Sequence, residues 1–334
     1  MNMENAYVKQ FPDVMKGKKL MYIHGFASSA KSGTVVKLSE LLPNTTVVAR
    51  DVPLDPHAAM DMLQEMTDKE QPDIIMGTSM GGMYAEMLYG HDRILVNPAF
   101  QMGETMKDHG MIGKQTFQNP REDGIQEFIV TKAMVKEYKD ITEKCFAKVT
   151  EEEQSRVWGL FGDEDPLVHT HDLFANHYRN AVWFHGEHRT NDKILINSVI
   201  PVIRWIDDKQ ENTQRPVVLI GIDALRGNNG EQVSSAIKGL RMLIEHYNVY
   251  YVASSPNYDS SYYQSVISWL TNNVGVPSYN HLLFVNDPST LLGDYLIDKG
   301  KKDDNFMGTY LELGSDTFKT WEELIEFFER LGGQ

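Results

Sequence analysis

The sequence predicts two successive α/β units, each a mostly parallel sheet covered by helices, and three observations lead there. Short apolar runs alternate with longer amphipathic segments from Leu20 onward. A polar stretch ending in proline, DDKQENTQRP (207–216), interrupts the alternation, which restarts at VVLIGID (217–223). Strands that alternate with helical segments are the pattern of βαβ units, and these build parallel sheets with both faces buried. The expected boundaries are 1–208 for the first domain, 209–216 for a linker and 217–334 for the second.

In the first domain LMYIHG (20–25) opens the series, followed by a helical stretch to Leu42, the run TTVVAR and a helix near 57–69. DIIMG (73–77), a helix over 81–90 and RILVNP (93–98) continue it. VWGLFG (157–162), a helix near 171–180, AVWFHG (181–186) and a helix over 191–206 complete it. The rhythm pauses between Phe100 and Lys148, where two helical periods, near 101–109 and 131–146, appear without strand signals. An insertion this long in a compact α/β domain is usually functional, so a helical lid over about 101–148 is expected. Met102, Met106, Met111 and Phe117 could line an acyl pocket beneath it, although methionines at helical spacing are more often plain core. The second domain reads as VVLIGID, a helix over 231–247, VYYVAS (249–254), a helix over 260–273, HLLFVN (281–286), YLID (295–298), TYLEL (309–313) and a final helix from Thr320.

The composition is that of a globular protein: 334 residues, 41% hydrophobic and 24% charged. The net charge of −15 is spread along the chain, with 9 basic against 15 acidic residues in 213–334, so neither part suits a phosphate backbone and no nucleic-acid partner is expected. One cysteine, Cys145, allows no intramolecular disulfide, the first twenty residues lack the apolar core of a signal peptide, and no window is apolar enough to span a membrane. A cytoplasmic protein with no membrane partner is expected; a homo-oligomer is compatible with these features.

The strongest chemical signal is Gly77-Thr78-Ser79-Met80-Gly81, a G-x-S-x-G directly after one apolar strand and directly before a helix. Such a strand-to-helix turn holds a serine out of the backbone, and small residues on either side let neighbouring chains approach. Ser79 becomes the expected nucleophile, with the Met80 N–H as one oxyanion donor at a helix start. His24-Gly25-Phe26 closes the first strand, where Phe26 is expected to supply a second oxyanion N–H. His24 is more readily a locally hydrogen-bonded histidine than a proton carrier.

Two further segments end strands: Phe161-Gly162-Asp163-Glu164-Asp165-Pro166-Leu167-Val168, and Gly186-Glu187-His188. Parallel sheets gather ligands at the carboxyl ends of their strands, so Ser79, Asp165 and His188 can converge there, in the order nucleophile, acid, histidine of an α/β-hydrolase fold. A serine hydroxyl needs a base, which assigns His188, and a carboxylate must fix the tautomer of that base. Asp165 is preferred because the G-x-x-D-x-x-V spacing gives the acid a turn before it reaches back, while Asp163 is the rival; His185 similarly rivals His188. His169, His171 and Asp172 show no closed ligand spacing, so no metal is expected.

Taken together, YIHGFASSAKSG (22–33), GTSMGGMYAEML (77–88), VNPAF (96–100) and FGDEDPLV (161–168) resemble the YqiA/YcfP-like α/β-hydrolase esterases over about residues 20–206. The resemblance implies serine-dependent hydrolysis of small acyl esters without a cofactor, with Ser79 as nucleophile, His188 as base and Phe26 and Met80 as oxyanion donors. It leaves the acid open between Asp163 and Asp165, because such esterases tend to carry one acid straight after the glycine.

The second domain, in VVLIGIDALRG, YVASSPNY and LLGDYLIDKG, resembles the deoxyribonucleotidase branch of the haloacid dehalogenase (HAD) superfamily over about 216–331, which implies a Rossmann-like fold. A phosphatase of that kind needs an aspartate nucleophile, a second aspartate two residues on, a lysine and an acidic pair for Mg²⁺. Asp223 fits the first position, but Leu225 stands at the second; Ser254 or Ser255 ends the next strand, no lysine precedes Asp294, and Asp298 is followed by Lys299. A noncatalytic HAD-like domain is expected, with Mg²⁺ relevant only if it is active. The whole chain is expected to act on a small-molecule ester. A thioesterase, peptidase or acyltransferase on the same residues, a noncatalytic binding protein, and a bifunctional enzyme with Mg²⁺-dependent phosphatase activity are the alternatives.

Overall fold

A computed structural model describes residues 9–227, 230–231, 233–254, 259–286, 290–300 and 306–332. Ser255, one of the two serines named for the second domain, lies outside the described residues. The chain divides into two compact units, Met1–Asp207 and Asp208–Gln334.

The first unit runs β1 (Lys19–Ile23), α1 (Gly33–Leu41), β2 (Thr46–Val48), α2 (Pro56–Glu70), β3 (Ile74–Thr78), α3 (Met80–Glu86), β4 (Asp92–Val96) and α4 (Met102–Asp108). It continues with β5 (Gly113–Thr116), β6 (Glu127–Val130), α5 (Lys132–Thr142), α6 (Glu151–Gln154), β7 (Val157–Gly162), α7 (His171–Ala175), β8 (Asn180–Phe184), α8 (Asp192–Ile194), a π-helical turn (Leu195–Val199) and α9 (Ile200–Glu211), whose last residues pass the boundary at Asp207. Six strands form one sheet in the order β2-β1-β3-β4-β7-β8, every pair parallel. The central strands are apolar on both faces because helices cover both: Ile74, Ile75 and Met76 are all buried. α2 shows how the flanking helices are specified. The Asp55 carboxylate accepts the His57 and Ala58 N–H groups, Pro56 starts the helix, Gln71 ends it in the left-handed region (φ 48°), and Ala59, Leu63 and Met66 face the core.

The insertion differs from the expectation of an all-helical lid. α4 and α5 stand where the helical periods lie, but β5 and β6 between them form an antiparallel ribbon, Gly113 opposite Val130 and Thr116 opposite Glu127. Its alternation, with Phe128 and Val130 buried and Ile129 exposed, is too short and too mixed to register as a strand in the sequence. Met102, Met106 and Phe117 are buried in the main core and Met111 packs against it, the plainer of their two readings. α7 stops at Ala175, short of the expected 180, because β8 already starts at Asn180. α9 carries on to Glu211, so part of the expected linker 209–216 is helical: polar residues such as Gln210 and Glu211 are good helix formers, and only Pro216 is incompatible.

The second unit contains β9 (Val217–Gly221), α10 (Ile222–Leu225), α11 (Ser234–His246), β10 (Asn248–Ala253), α12 (Ser260–Asn273), a 3₁₀ turn (Val276–Ser278), β11 (Leu282–Phe284), β12 (Tyr295–Lys299), β13 (Thr309–Leu313) and α13 (Trp321–Gly332). Its five strands are all parallel, in the order β11-β10-β9-β12-β13, a Rossmann-like α/β sheet. α13 buries Trp321, Leu324, Ile325 and Phe328, and the Trp321 indole N–H donates to the Ala224 carbonyl at 2.7 Å.

Candidate active site

In the six-stranded sheet β3, β4, β7 and β8 are consecutive neighbours, so whatever follows each of them is delivered to one edge. Ser79 follows β3, Asn97 follows β4, Asp163 and Asp165 follow β7, and His188 follows β8. The chain order reverses between β1 and β3, the place where open α/β sheets leave a crevice, and His24-Gly25-Phe26 enters it from β1.

Ser79 has φ 55° and ψ −121°, a strained conformation for a side-chain-bearing residue. The turn is held on both sides: the Ser79 N–H donates to the Val96 carbonyl at 2.9 Å, and the Ser79 carbonyl accepts from Gly82, Met83 and Ala99. Gly81 is required by crowding, since a Cβ there would collide with the Ile23 and His24 carbonyls; Gly77 is similarly pressed against Gly81 and Gly82. The two glycines of the motif therefore let the elbow sit against β1, and a Cβ at Gly25 would press on the Ser79 Cβ at 3.3 Å.

Ser79, His188 and Asp165 are brought together. The Ser79 Oγ lies 3.0 Å from the His188 Nε2, and the His188 Nδ1 lies 2.7 Å from the Asp165 Oδ2. The other Asp165 oxygen accepts the Leu167 N–H at 2.8 Å and the Val168 N–H at 3.1 Å, which is the turn that the G-x-x-D-x-x-V spacing implied. Burial pushes the Asp165 carboxyl up, but the hydrogen bond and charge of His188 and the two backbone N–H groups outweigh it and hold the group below the ordinary aspartate value. An ionised acceptor at Nδ1 fixes the proton on that nitrogen and leaves Nε2 to accept from the serine hydroxyl. Asp163 is turned elsewhere: its carboxylate accepts the Gly186 N–H at 3.0 Å and lies 3.3 Å from the His185 Nδ1, with both side chains largely exposed.

His24 is buried and plays no part in this chain of contacts. Its Nε2 accepts the Val52 N–H at 3.0 Å, so Nδ1 carries the proton toward the Gly25 carbonyl at 2.8 Å. Burial lowers its pKa, against the raising effects of the Gly25 carbonyl and the Asp51 charge.

The insertion closes over the two expected oxyanion residues. The Phe26 ring meets Phe128 of β6 and Tyr138 of α5 edge-on, at centroid distances of 5.5 and 6.3 Å. The Tyr138 hydroxyl lies 3.2 Å from the Met80 Sδ and 3.2 Å from the Leu54 carbonyl. A strap at 117–122 is tied to the loop after β1: Gln118 N–H to the Ala27 carbonyl (2.8 Å), Asn119 to Ser28 (3.2 Å) and the Ser29 hydroxyl to the Pro120 carbonyl (2.8 Å). Asp51 joins the two, one oxygen accepting the Ala30 N–H at 2.8 Å and the other the Glu122 N–H at 2.6 Å. Tyr138 and Asp51 carried no signal in the sequence, since neither lies in a motif or at a diagnostic spacing; Asn97 lay in the Asn-Pro pair but its role did not show.

Among known proteins, the pattern of the uncharacterised protein family UPF0227 matches residues 19–195, just over half of the chain. The chain belongs to that family. The UPF0227 region holds Phe26, Ser79, Asp165 and His188. Solved structures similar to this UPF0227 protein include Est1E from Butyrivibrio proteoclasticus, at 15% identity and a TM-score of 0.42, covering 60% of this chain and 91% of Est1E. A solved chain described under the metagenome-derived lipolytic enzymes LipS and LipT gives 15% identity and a TM-score of 0.42 over 57% of this chain and 95% of that one. A curated protein of Vibrio phage KVP40 named "Putative 5'(3')-deoxyribonucleotidase" is 25% identical over 97 residues, which are 28% of this chain and span 57% of the length of that relative.

In the second unit Asp223 lies in α10 just after β9, Asp298 lies near the end of the adjacent strand β12, and a Cβ at Gly221 would collide with the Asp298 carboxylate. The Asp223 carboxylate is taken by the Arg226 guanidinium at 2.9 and 3.0 Å. Leu225 is buried, Ser254 is exposed at the end of β10, and the Lys299 ammonium lies 3.3 Å from the Arg226 carbonyl. Burial and the Asp223 charge push the Asp298 carboxyl up. Mg²⁺ binds through several hard, anionic oxygens; Asp223, with Arg226 on one of its oxygens, and Asp298 are joined by no third carboxylate or histidine among the described residues, and the Lys299 ammonium lies close by, so the set falls short of what Mg²⁺ takes. Among the described residues no group of three or more His, Cys, Asp or Glu is placed to hold a metal ion, and no helix is long and apolar enough to cross a membrane.

Proposed function

We propose that this protein is a serine hydrolase that cleaves small carboxylic esters through an acyl-Ser79 intermediate. The observation that carries the reading is the continuous contact from the Ser79 Oγ to His188 to Asp165, with the proton fixed on Nδ1 by a buried carboxylate. In the first step the Ser79 Oγ attacks the ester carbonyl carbon while its proton passes to the His188 Nε2. The carbonyl oxygen becomes an oxyanion held by the Phe26 and Met80 N–H groups, aided by the start of α3. Collapse breaks the bond to the alkoxy oxygen, which leaves as the alcohol with the proton from Nε2. Water then attacks the acyl carbon, giving its proton to Nε2, and the acid departs as Ser79 recovers its proton. The Asp165 carboxylate stabilises the imidazolium in each half-reaction without taking the proton.

The second unit is read as noncatalytic, because Leu225 stands where a proton donor is needed and Arg226 pairs with one oxygen of Asp223. No cofactor enters the proposed reaction.

The test is a p-nitrophenyl ester series, acetate to decanoate, on wild type and Ser79→Ala. Turnover on short esters that disappears in the variant, with fluorophosphonate labelling of Ser79, is the expected result. Labelling without ester turnover moves the reading to a thioesterase, peptidase or acyltransferase. Neither labelling nor turnover leaves a binding protein.

A further inference from the structure

We infer that Asn97 is a positioning residue of this site, a single carboxamide that pins the loop of His188 to the strand that delivers Asp165; the inference rests on the serine hydrolase reading. Asn97 is 2% exposed and stands directly after β4, the strand between those of Ser79 and Asp165. Its backbone is left-handed at φ 45°, a region that asparagine tolerates better than other side-chain-bearing residues. Its backbone N–H and its carboxamide are all used toward β7 and the loop after β8. The backbone N–H donates to the Leu160 carbonyl of β7 at 2.8 Å, and the side-chain Oδ1 accepts the Gly162 N–H, at the end of β7, at 2.7 Å. The Nδ2 group donates to the carbonyls of Glu187 and of His188 itself, both at 3.1 Å. The partners fix which end is which, because an N–H must face the oxygen and two carbonyls must face the amide nitrogen.

β4 and β8 are not neighbours, so this side chain reaches across the end of β7 to the far loop. That loop has little packing of its own: Glu187 and Arg189 are exposed. Gly186 is held by the Glu164 N–H and the Asp163 carboxylate, and Asn97 takes over at the next two carbonyls. The His188 ring is gripped at Nδ1 and Nε2, and Asn97 grips its backbone, so the three contacts together set where Nε2 stands relative to Ser79. Only a carboxamide of this size offers one acceptor and two donors. An aspartate would keep the bond to Gly162 and turn a negative charge on the two carbonyls.

The experiment compares wild type, Asn97→Gly and Asn97→Asp as full chains. Glycine removes all three side-chain bonds while accepting φ 45° without strain, and aspartate spares the Gly162 arm, so the two variants load the fold in different ways. Thermal unfolding checks the fold, and fluorophosphonate titration counts competent serines. kcat and KM are read on a p-nitrophenyl ester, and the low-field proton resonance of the His188 Nδ1–H, identified by its loss in Asp165→Asn, is followed by NMR. The expected result is a kcat per titrated site lowered about 10- to 100-fold with KM within about twofold, since a displaced catalytic group costs rate more than binding, and a broadened or lost His188 resonance. Unchanged kcat and resonance in a folded variant overturn the inference, whatever happens to the unfolding temperature. If wild type shows no Ser79-dependent turnover, it is the hydrolase reading that fails. The resonance then decides alone: its loss in the folded variants supports the role of Asn97, and its persistence overturns it.

Discussion

Asp165 and His188 meet at 2.7 Å through Oδ2 and Nδ1, whereas Asp163, two positions earlier on the same turn, faces His185 and the Gly186 N–H. The two acids therefore separate in a simple comparison. Asp165→Asn is expected to lower ester kcat by about 10²- to 10⁴-fold, because the amide leaves the imidazole in the wrong tautomer. Asp163→Asn is expected to stay within about threefold of wild type, the limit set by an exposed pair that contributes little. Steady-state rates on one ester check both, and a larger loss in Asp163→Asn than in Asp165→Asn reverses the assignment.

Asp51 predicts how the insertion behaves. By accepting N–H groups from both the loop after β1 and the strap at 117–122, it makes the insertion a fixed wall of the site. Asp51→Ala should speed amide hydrogen exchange over 25–32 and 117–122 together and lower kcat. Wild-type turnover should rise smoothly with ester concentration, and a jump where the ester forms aggregates would mean that the insertion opens instead.

Tyr138 is expected to divide into two effects. Tyr138→Phe removes one shared hydroxyl contact to Met80 and Leu54, and should cost about 1 kcal/mol of stability. Tyr138→Ala removes the ring against Phe26 as well, and should cost about 3–5 kcal/mol. Urea unfolding of both variants measures the difference.

His24 gives a pH signature. Burial lowers its pKa and holds it neutral in the folded protein, while the unfolded chain takes up a proton near the ordinary histidine value of about 6.5. Below that pH the unfolded state binds more protons, and stability falls as pH falls until the folded pKa is reached, with a slope of at most about 1.4 kcal/mol per pH unit. The Glu86 carboxyl is raised by burial despite the Tyr178 hydrogen bond and acts in the opposite sense, so the quantity to measure is wild type minus His24→Gln between pH 7.5 and 5. A difference that does not change with pH would contradict the neutral assignment.

For the second unit, no phosphate release from p-nitrophenyl phosphate in Mg²⁺ is expected, because Leu225 has no proton to give a leaving group. Release that disappears in Asp223→Asn would make the protein bifunctional.

The placement of Ser79 and His188 at neighbouring strand ends is legible because strand, turn and glycine spacing are local matters, and a parallel sheet delivers strand ends to one edge. The preference for Asp165 came from a short-range turn, and its Leu167 and Val168 bonds are that turn. The ribbon of β5 and β6 was not legible, since four-residue strands with mixed faces lack a period that stands above noise. Helix α9 ran into the expected linker because polarity alone does not stop a helix.

By itself, the sequence determined the βα rhythm of both units, the elbow at Ser79 and the candidate histidine and acids, all of which depend on residues within a few positions of one another. The tertiary structure decided which acid faces His188, that Asn97 joins two loops across β7, and that Tyr138 and Asp51 fix the insertion over Phe26 and Met80. Those contacts link residues from 21 to 91 positions apart and beyond, and those of Asp165 and Asn97 exist only once the order β3-β4-β7-β8 has brought the strand ends side by side.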